Sequence, residues 1–206
     1  PAGRTCTVWF KTEAAGRQVY LLSWGGESTG QKWLVRLDAD GVPAVGVWGG
    51  YTRSSAALND GRWHHLAAVL HNDGSADLGD IRFYVDGIPQ AAQPSASVSI
   101  NTSASQDVFL GAFSNAGTGA GFFAGLLDEI RIYDRALSEE QIVRLYRQHA
   151  LAADLTGEGR VNLDDLSALA GEWLEETNEC DLTCDGRVNL EDMSVLAAEW
   201  LGQIVF

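Results

Sequence analysis

The chain has 206 residues and sets 28 acidic side chains against 14 Lys and Arg, a net charge of −14. The excess is uneven: residues 1–150 carry 15 acidic and 12 basic side chains, whereas residues 151–206 carry 13 and 2. Phosphate binding needs clustered Lys and Arg, so this balance excludes nucleic acid as a partner, and no apolar run reaches the length of a membrane span.

From the N-terminus, short β-patterned runs follow one another: Thr5 to Lys11, Gln18 to Trp24, Lys32 to Leu37, Ala44 to Trp48, Trp63 to His71, Ile81 to Val85, Val108 to Ala112 and Leu126 to Tyr133. The breaks between them are rich in Gly, Ser, Asn and Asp, and Asp86-Gly87 is the strongest hairpin signal. Eight such runs predict two antiparallel sheets packed face to face, each burying one side.

Little in this half reads as catalytic. His64 and His65 follow Trp63 in a predicted strand and read as packing residues. Asp128 and Glu129 are adjacent in a predicted strand and point to opposite faces, so they cannot flank a glycosidic bond as hydrolysis requires. No nucleophile elbow, phosphate loop or zinc spacing occurs, and the segment is read as non-enzymatic. Trp9 and Trp63 are expected in the core. Trp48, Tyr51 and Arg53 flank Gly49-Gly50 in a predicted loop, where flat apolar faces and a guanidinium fork could meet a ligand. The alternative is an ordinary sandwich edge with partly buried aromatics.

The segments Thr7-Val-Trp-Phe-Lys11, Trp63-His-His-Leu-Ala-Ala-Val69, Ile81-Arg-Phe-Tyr-Val-Asp-Gly87 and Phe123-Ala-Gly-Leu-Leu-Asp-Glu-Ile-Arg-Ile-Tyr-Asp-Arg-Ala-Leu137 resemble the laminin-G-like jelly roll of the concanavalin A-like lectin and glucanase group. The resemblance covers residues 5–150 and implies an antiparallel β-sandwich that binds a glycan or another surface ligand. It also implies that an upstream strand is missing, leaving Leu126 to Tyr133 as an open edge able to pair with another chain. The sandwich closes on a helix starting at Ser138 or Glu139, where Ser138 and Gln141 form a capping box and Leu137 and Ile142 a hydrophobic staple.

Residues 154–174 and 181–201 are two copies of one unit, identical at 15 of 21 positions. Each opens with a twelve-residue loop whose positions 1, 3, 5, 7, 9 and 12 supply oxygen and whose position 6 is glycine, the pattern of a calcium loop. In the first copy these are Asp154, Thr156, Glu158, the Arg160 carbonyl, Asn162 and Asp165. In the second they are Asp181, Thr183, Asp185, the Arg187 carbonyl, Asn189 and Asp192. Val161 and Val188 at position 8 are expected to face inward. Leu163, Leu166, Leu169, Ala170, Trp173 and Leu174 then follow helical periodicity, matched by Leu190, Met193, Leu196, Ala197, Trp200 and Leu201.

A loop followed by a single helix, with Asp at position 12, resembles the dockerin module of secreted bacterial glycan-degrading systems. That resemblance implies two bound Ca2+ ions and a cohesin-like or other docking partner, read by loop positions 10 and 11. Here those positions are Leu163-Asp164 and Leu190-Glu191. Three cysteines cannot all pair within one chain. Cys6 reads as a small buried hydrophobe, and Cys180 with Cys184 is open to either a small disulfide or two thiols. The expected whole is an all-β jelly roll (1–150) and a small all-α calcium module (151–206) of a secreted or cell-surface bacterial protein. The competing readings are a spacer without a ligand and the C-terminal part of a glycan-degrading enzyme whose catalytic domain lies upstream.

Overall fold

The computed structural model describes residues 3–104, 107–115, 118–150, 153–156, 161–174, 180–183 and 185–202. The chain divides into two compact units, Pro1–Val143 and Arg144–Phe206. The division falls upstream of the junction after residue 150 read from the charge map.

The first unit is built of β1 (Arg4–Lys11), β2 (Val19–Gly25), β3 (Lys32–Leu37), β4 (Pro43–Val47), β5 (Gly50–Arg53), β6 (Trp63–Leu70), β7 (Ile81–Val85), β8 (Ile88–Gln90), β9 (Gln93–Pro94), β10 (Phe109–Leu110), β11 (Phe113–Asn115), β12 (Thr118–Ala120) and β13 (Leu126–Tyr133). One sheet runs β13-β1-β6-β7-β8 and a second β10-β2-β3-β4-β5-β9, with β11-β12 as a separate hairpin. Alternation decides what each strand buries. Cys6, Val8 and Phe10 of β1 meet Leu66, Ala68 and Leu70 of β6 on one inner face, and Trp33, Val35, Leu37, Val45 and Val47 form the other. Phe10 packs edge-on against Phe123 at 6.3 Å between centroids. Buried among apolar atoms, the Cys6 thiol is pushed up to about 12, which makes it the inert core residue expected.

Turn chemistry sets the registers. Asp86 (φ 50°) and Gly87 (φ 77°) both adopt the left-handed region, as the two-residue hairpin joining β7 to β8 requires, with Val85 opposite Ile88. Between β1 and β13 the register shifts at Thr7/Trp9, where Glu129 takes φ 46°, so a bulge interrupts the regular alternation assumed for Asp128 and Glu129. These two carboxylates still do not converge on a common target. Asp128 accepts from the Glu129 amide at 2.8 Å, and Glu129 bonds Arg131 at 2.6 Å.

Two expectations for the sandwich fail. Residues 50–53 are not loop: Gly-Gly reads as a break, yet β5 pairs with β4 on one side and β9 on the other. Trp63 is not core but 42% exposed, because it alternates with His65 and Ala67 on the face of β6 opposite the inner residues Leu66, Ala68 and Leu70. Trp9 is half-buried and lies against His65, 5.4 Å between centroids.

Helix α1 (Glu139–Ala150) starts as its cap predicts, with Gln141 Oε1 accepting from the Ser138 amide at 3.1 Å and Ser138 Oγ from the Gln141 amide at 3.3 Å. Both staple residues, Leu137 and Ile142, are buried.

The second unit holds α2 (Leu163–Gly171) and α3 (Leu190–Gly202). Its core is Ala153, Val161, Leu169, Cys180, Val188 and Leu196, with Trp173 and Trp200 packed against it. The position-8 valines therefore face inward as expected. The helical stripe is narrower than its periodicity suggests. Leu163, Leu174, Leu190, Met193 and Leu201 are exposed, since among the described residues six buried side chains and five partly buried ones already make up so small a core. Cys180 is buried with Sγ 3.8 Å from the Ala168 carbonyl, and Cys184 lies outside the described residues.

Candidate functional site

The second loop shows how the repeat gathers oxygen. Thr183 Oγ1 lies 3.4 Å from Asp181 Oδ1 and 3.0 Å from Asp192 Oδ1. Asp181 accepts from the amides of Asp185 and Gly186, and Asp185 accepts from the Arg187 amide and from Asn189 Nδ2 at 3.0 Å. Asn189 Nδ2 also reaches the Arg187 carbonyl at 3.5 Å. All six positions expected from the spacing thus belong to one network. Gly186 takes φ 91° at the sharp turn, a conformation that glycine adopts without strain.

Asp192 is the hinge of that network. Fully buried, it accepts from the amides of Thr183 at 2.9 Å and Asn189 at 2.7 Å, tying the start of the loop to the start of α3. Burial alone would raise its carboxyl, but the Asn189 and Thr183 amides and the Thr183 hydroxyl outweigh it and hold the group below the usual carboxylate range. Asp165 repeats the arrangement in the first copy, accepting from the amides of Thr156 and Asn162 and from the Thr156 hydroxyl. It completes a capping box with Asn162, whose side chain accepts from the Asp164 amide. Asp154 lies in the described part of that loop, and Glu158 and Arg160 lie outside the described residues.

Among the described residues no three of His, Cys, Asp and Glu form a metal cluster on their own. The oxygens drawn together are instead carboxylate, hydroxyl and main-chain carbonyl, a mixture that suits a hard cation such as Ca2+ and not a thiolate- or imidazole-seeking metal; Asn189 enters the network through its Nδ2, while its Oδ1 accepts from the Glu191 amide at 2.7 Å.

In the sandwich, Tyr51 and Arg53 alternate with buried Thr52 on β5 and so share its outer face. Tyr51 is 38% exposed, and the Arg36 guanidinium sits 5.4 Å from its ring centroid. Arg53 bonds Asp40 at 2.6 Å and Asp38 at 3.2 Å, while Arg36 bonds Asp38 at 2.8 Å. Hydrogen bonding to Asp40 raises Arg53, and the same bond lowers Asp40. Gln18 and Tyr20 extend the chain of contacts from Asp38. Trp48 is half-buried in the β4–β5 turn, and its Nε1 is a buried donor with no hydrogen-bond partner among the described residues.

The expected trio thus splits into Tyr51 and Arg53 on a strand and Trp48 in a turn. Sequence reading missed Arg36, Asp38 and Asp40, although the outward alternation Leu34, Arg36, Asp38 across the end of β3 pointed to them.

His65 is buried, and His64 holds Asp86 through Nδ1 at 2.8 Å and Asp60 through Nε2 at 3.1 Å. The hydrogen bond to Asp86 raises His64 above its ordinary 6.5, against burial and with help from both carboxylate charges. A raised folded-state value means that this contribution is complete below pH 6.5 and is lost as pH climbs through the folded value. We expect the sandwich to melt at a lower temperature above that window, and His64→Gln to flatten the dependence. Melting curves across that range check it, and a parent profile as flat as that of His64→Gln would count against the clamp.

Residues 1–143 match the laminin-G-like sequence profile of the concanavalin A-like lectin/glucanases superfamily. The chain belongs to that superfamily. Among solved structures, the superfamily sandwich seen here is similar to the CBM40 of the Ruminococcus gnavus IT-sialidase, at TM-score 0.55 and 17% identity over 70% of this chain and 83% of that one. A protein of Bacteroides ovatus matches at 0.54 and 17%, over 69% of this chain and 40% of that one. The NanB sialidase of Streptococcus pneumoniae matches at 0.52 and 18%, over 69% and 24%. At such identities the likeness is one of fold.

Proposed function

We propose that the sandwich is a non-catalytic glycan-binding domain and that the second unit is a dockerin-like, calcium-dependent module joining it to a partner protein. The observation that carries the second part is the convergence of Asp181, Thr183, Asp185, Asn189 and Asp192 in one hydrogen-bonded network rich in carboxylate oxygen, in a sequence present twice. Calcium would be held by that set and, in the first copy, by Asp154, Thr156, Glu158, the Arg160 carbonyl, Asn162 and Asp165. The bound ion supplies positive charge that offsets the acidic excess of this unit. Leu163 and Leu190, 68% and 72% exposed at the same position of the two copies, offer apolar contacts to a cohesin-like partner.

The glycan reading is supported by the lectin superfamily and by the R. gnavus CBM40, which has been solved bound to α2,3 sialyllactose. Tyr51 and Arg53, with Trp48 near them in sequence, are the residues we assign to ligand contact: an exposed aromatic face beside a guanidinium held in place by two carboxylates. Separate Tyr51→Ala and Arg53→Ala variants should each lose at least about tenfold in affinity for a glycan selected on an array. Because exposed ion pairs contribute only ~0.2–1 kcal/mol, neither should melt much earlier than the parent. If both bind as the parent does, the site lies elsewhere.

A further inference from the structure

A second feature of the sandwich is independent of the Tyr51–Arg53 surface. A cleft of about 420 Å³ opens where β1 begins and β13 ends, lined by Arg4, Trp24, Thr102, Ser103, Tyr133 and Asp134, among others. That volume falls in the range of small-ligand pockets.

Among the described residues, two polar groups at it have no hydrogen-bonding or ion-pairing partner. The Arg4 guanidinium stands 4.9 Å from the Trp33 ring centroid and 5.6 Å from that of Trp24, and among the described residues no carboxylate lies within ion-pair distance of it. Its planar fork is thus backed by two indoles while its donors remain available. Burial pushes the Arg4 guanidinium below its ordinary value, as expected for a cation shielded from water. Thr102 Oγ1 is likewise buried without a hydrogen-bond partner. A buried hydroxyl left unsatisfied costs stability, and the segment that carries it is pinned from behind. Asn101 and Ser103 donate their amides to the carbonyls of Gly30 and Gln31, and Gly25 (φ 96°) leaves no room for a Cβ between Gln31 and Thr102.

We propose that this cleft binds an acidic monosaccharide, with the sugar carboxylate on the Arg4 fork, the ring against Trp24, and the sugar hydroxyls on Thr102, Ser103 and Asp134. A guanidinium selects an anion bidentately, and a carboxylate matches its fork. The Asp134 carboxylate in the same cleft accepts hydroxyls and repels a second negative charge, which favours a singly charged sugar acid over a phosphate.

Titration of the full chain with glucuronate, N-acetylneuraminate, glucose, acetate and inorganic phosphate tests this. We expect saturable binding of at least one sugar acid, weaker by about tenfold or more in Arg4→Gln and in Thr102→Val. Arg62→Ala, which removes an exposed guanidinium outside the cleft, should bind it as the parent does, which separates the cleft from general surface charge. Arg4→Lys, which retains the charge but not the fork, should fall between parent and Arg4→Gln and show whether a loss reflects misfolding. Three outcomes would overturn the proposal: no uptake of either sugar acid at about 10 mM, acetate or phosphate binding as well as the sugar acids, or full affinity in a folded Arg4→Gln protein.

Discussion

Chelating calcium, or replacing Asp192 by alanine, should unfold the C-terminal unit while leaving the sandwich folded. The unit carries 13 carboxylates and 2 guanidinium groups in residues 151–206, and its core is a handful of Val, Leu, Ala and Trp side chains. Asp192→Ala removes the acceptor for two amides and one hydroxyl that join the loop to α3. Loss of a cap together with stranded buried donors costs on the order of 2–4 kcal/mol. A unit of this size has only about 3–9 kcal/mol to lose. Each ion held at a hundred times its Kd adds about 2.7 kcal/mol, so chelation acts on the same scale. Far-ultraviolet circular dichroism with limited proteolysis should show lost helix and cleavage confined to the C-terminal unit. An Asp192→Ala protein as helical and as protease-resistant as the parent would refute this role.

The second large effect lies in the sandwich. Phe10→Ala should destabilise it by about 3–5 kcal/mol, because the ring is fully buried between the sheets and its loss leaves a cavity that the flanking strands cannot close. Trp63→Ala, although it deletes a larger side chain from the neighbouring strand, should cost less than about 1 kcal/mol because that indole is largely outside the core. Urea unfolding followed by sandwich-specific signals compares the two. Equal losses would mean that the inner face of β1 has been wrongly assigned.

Those two aromatics also mark where sequence reading succeeds and where it stops. The longer strands were legible to within a residue at each end: β3, β7 and β13 begin and end where their patterns do, and β1, β2 and β6 differ by one residue. Short strands were not. Gly50-Tyr51-Thr52-Arg53 has one buried side chain and a glycine, so nothing local distinguishes it from a loop, and only pairing with β4 and β9 makes it a strand. Trp63 was misplaced because hydrophobicity does not tell which face of a strand a residue takes, and Trp63 falls on the face of β6 opposite Leu66 and Ala68. Likewise Leu163 and Leu190 continue a helical period yet lie outside a core already filled by Val161, Val188, Leu169 and Leu196.

The loop positions were legible because their spacing is local and repeated. By contrast, the Arg36–Asp38–Arg53–Asp40 network brings two strand ends together across a sheet, and the cleft at Arg4 joins residues more than a hundred positions apart. Alternation along β3 points to Arg36 and Asp38, but no local period encodes their meeting with Arg53 or the joining of the cleft.

The central claim is that the duplicated loops are calcium sites, and isothermal titration of calcium into the full chain tests it most directly. The parent should take up two ions at concentrations no higher than about 1 mM, the range of extracellular calcium sites. Asp154→Ala or Asp181→Ala alone should lower the uptake, and the two together should abolish it. No uptake by the parent, or two ions still bound by the double variant, would contradict the account.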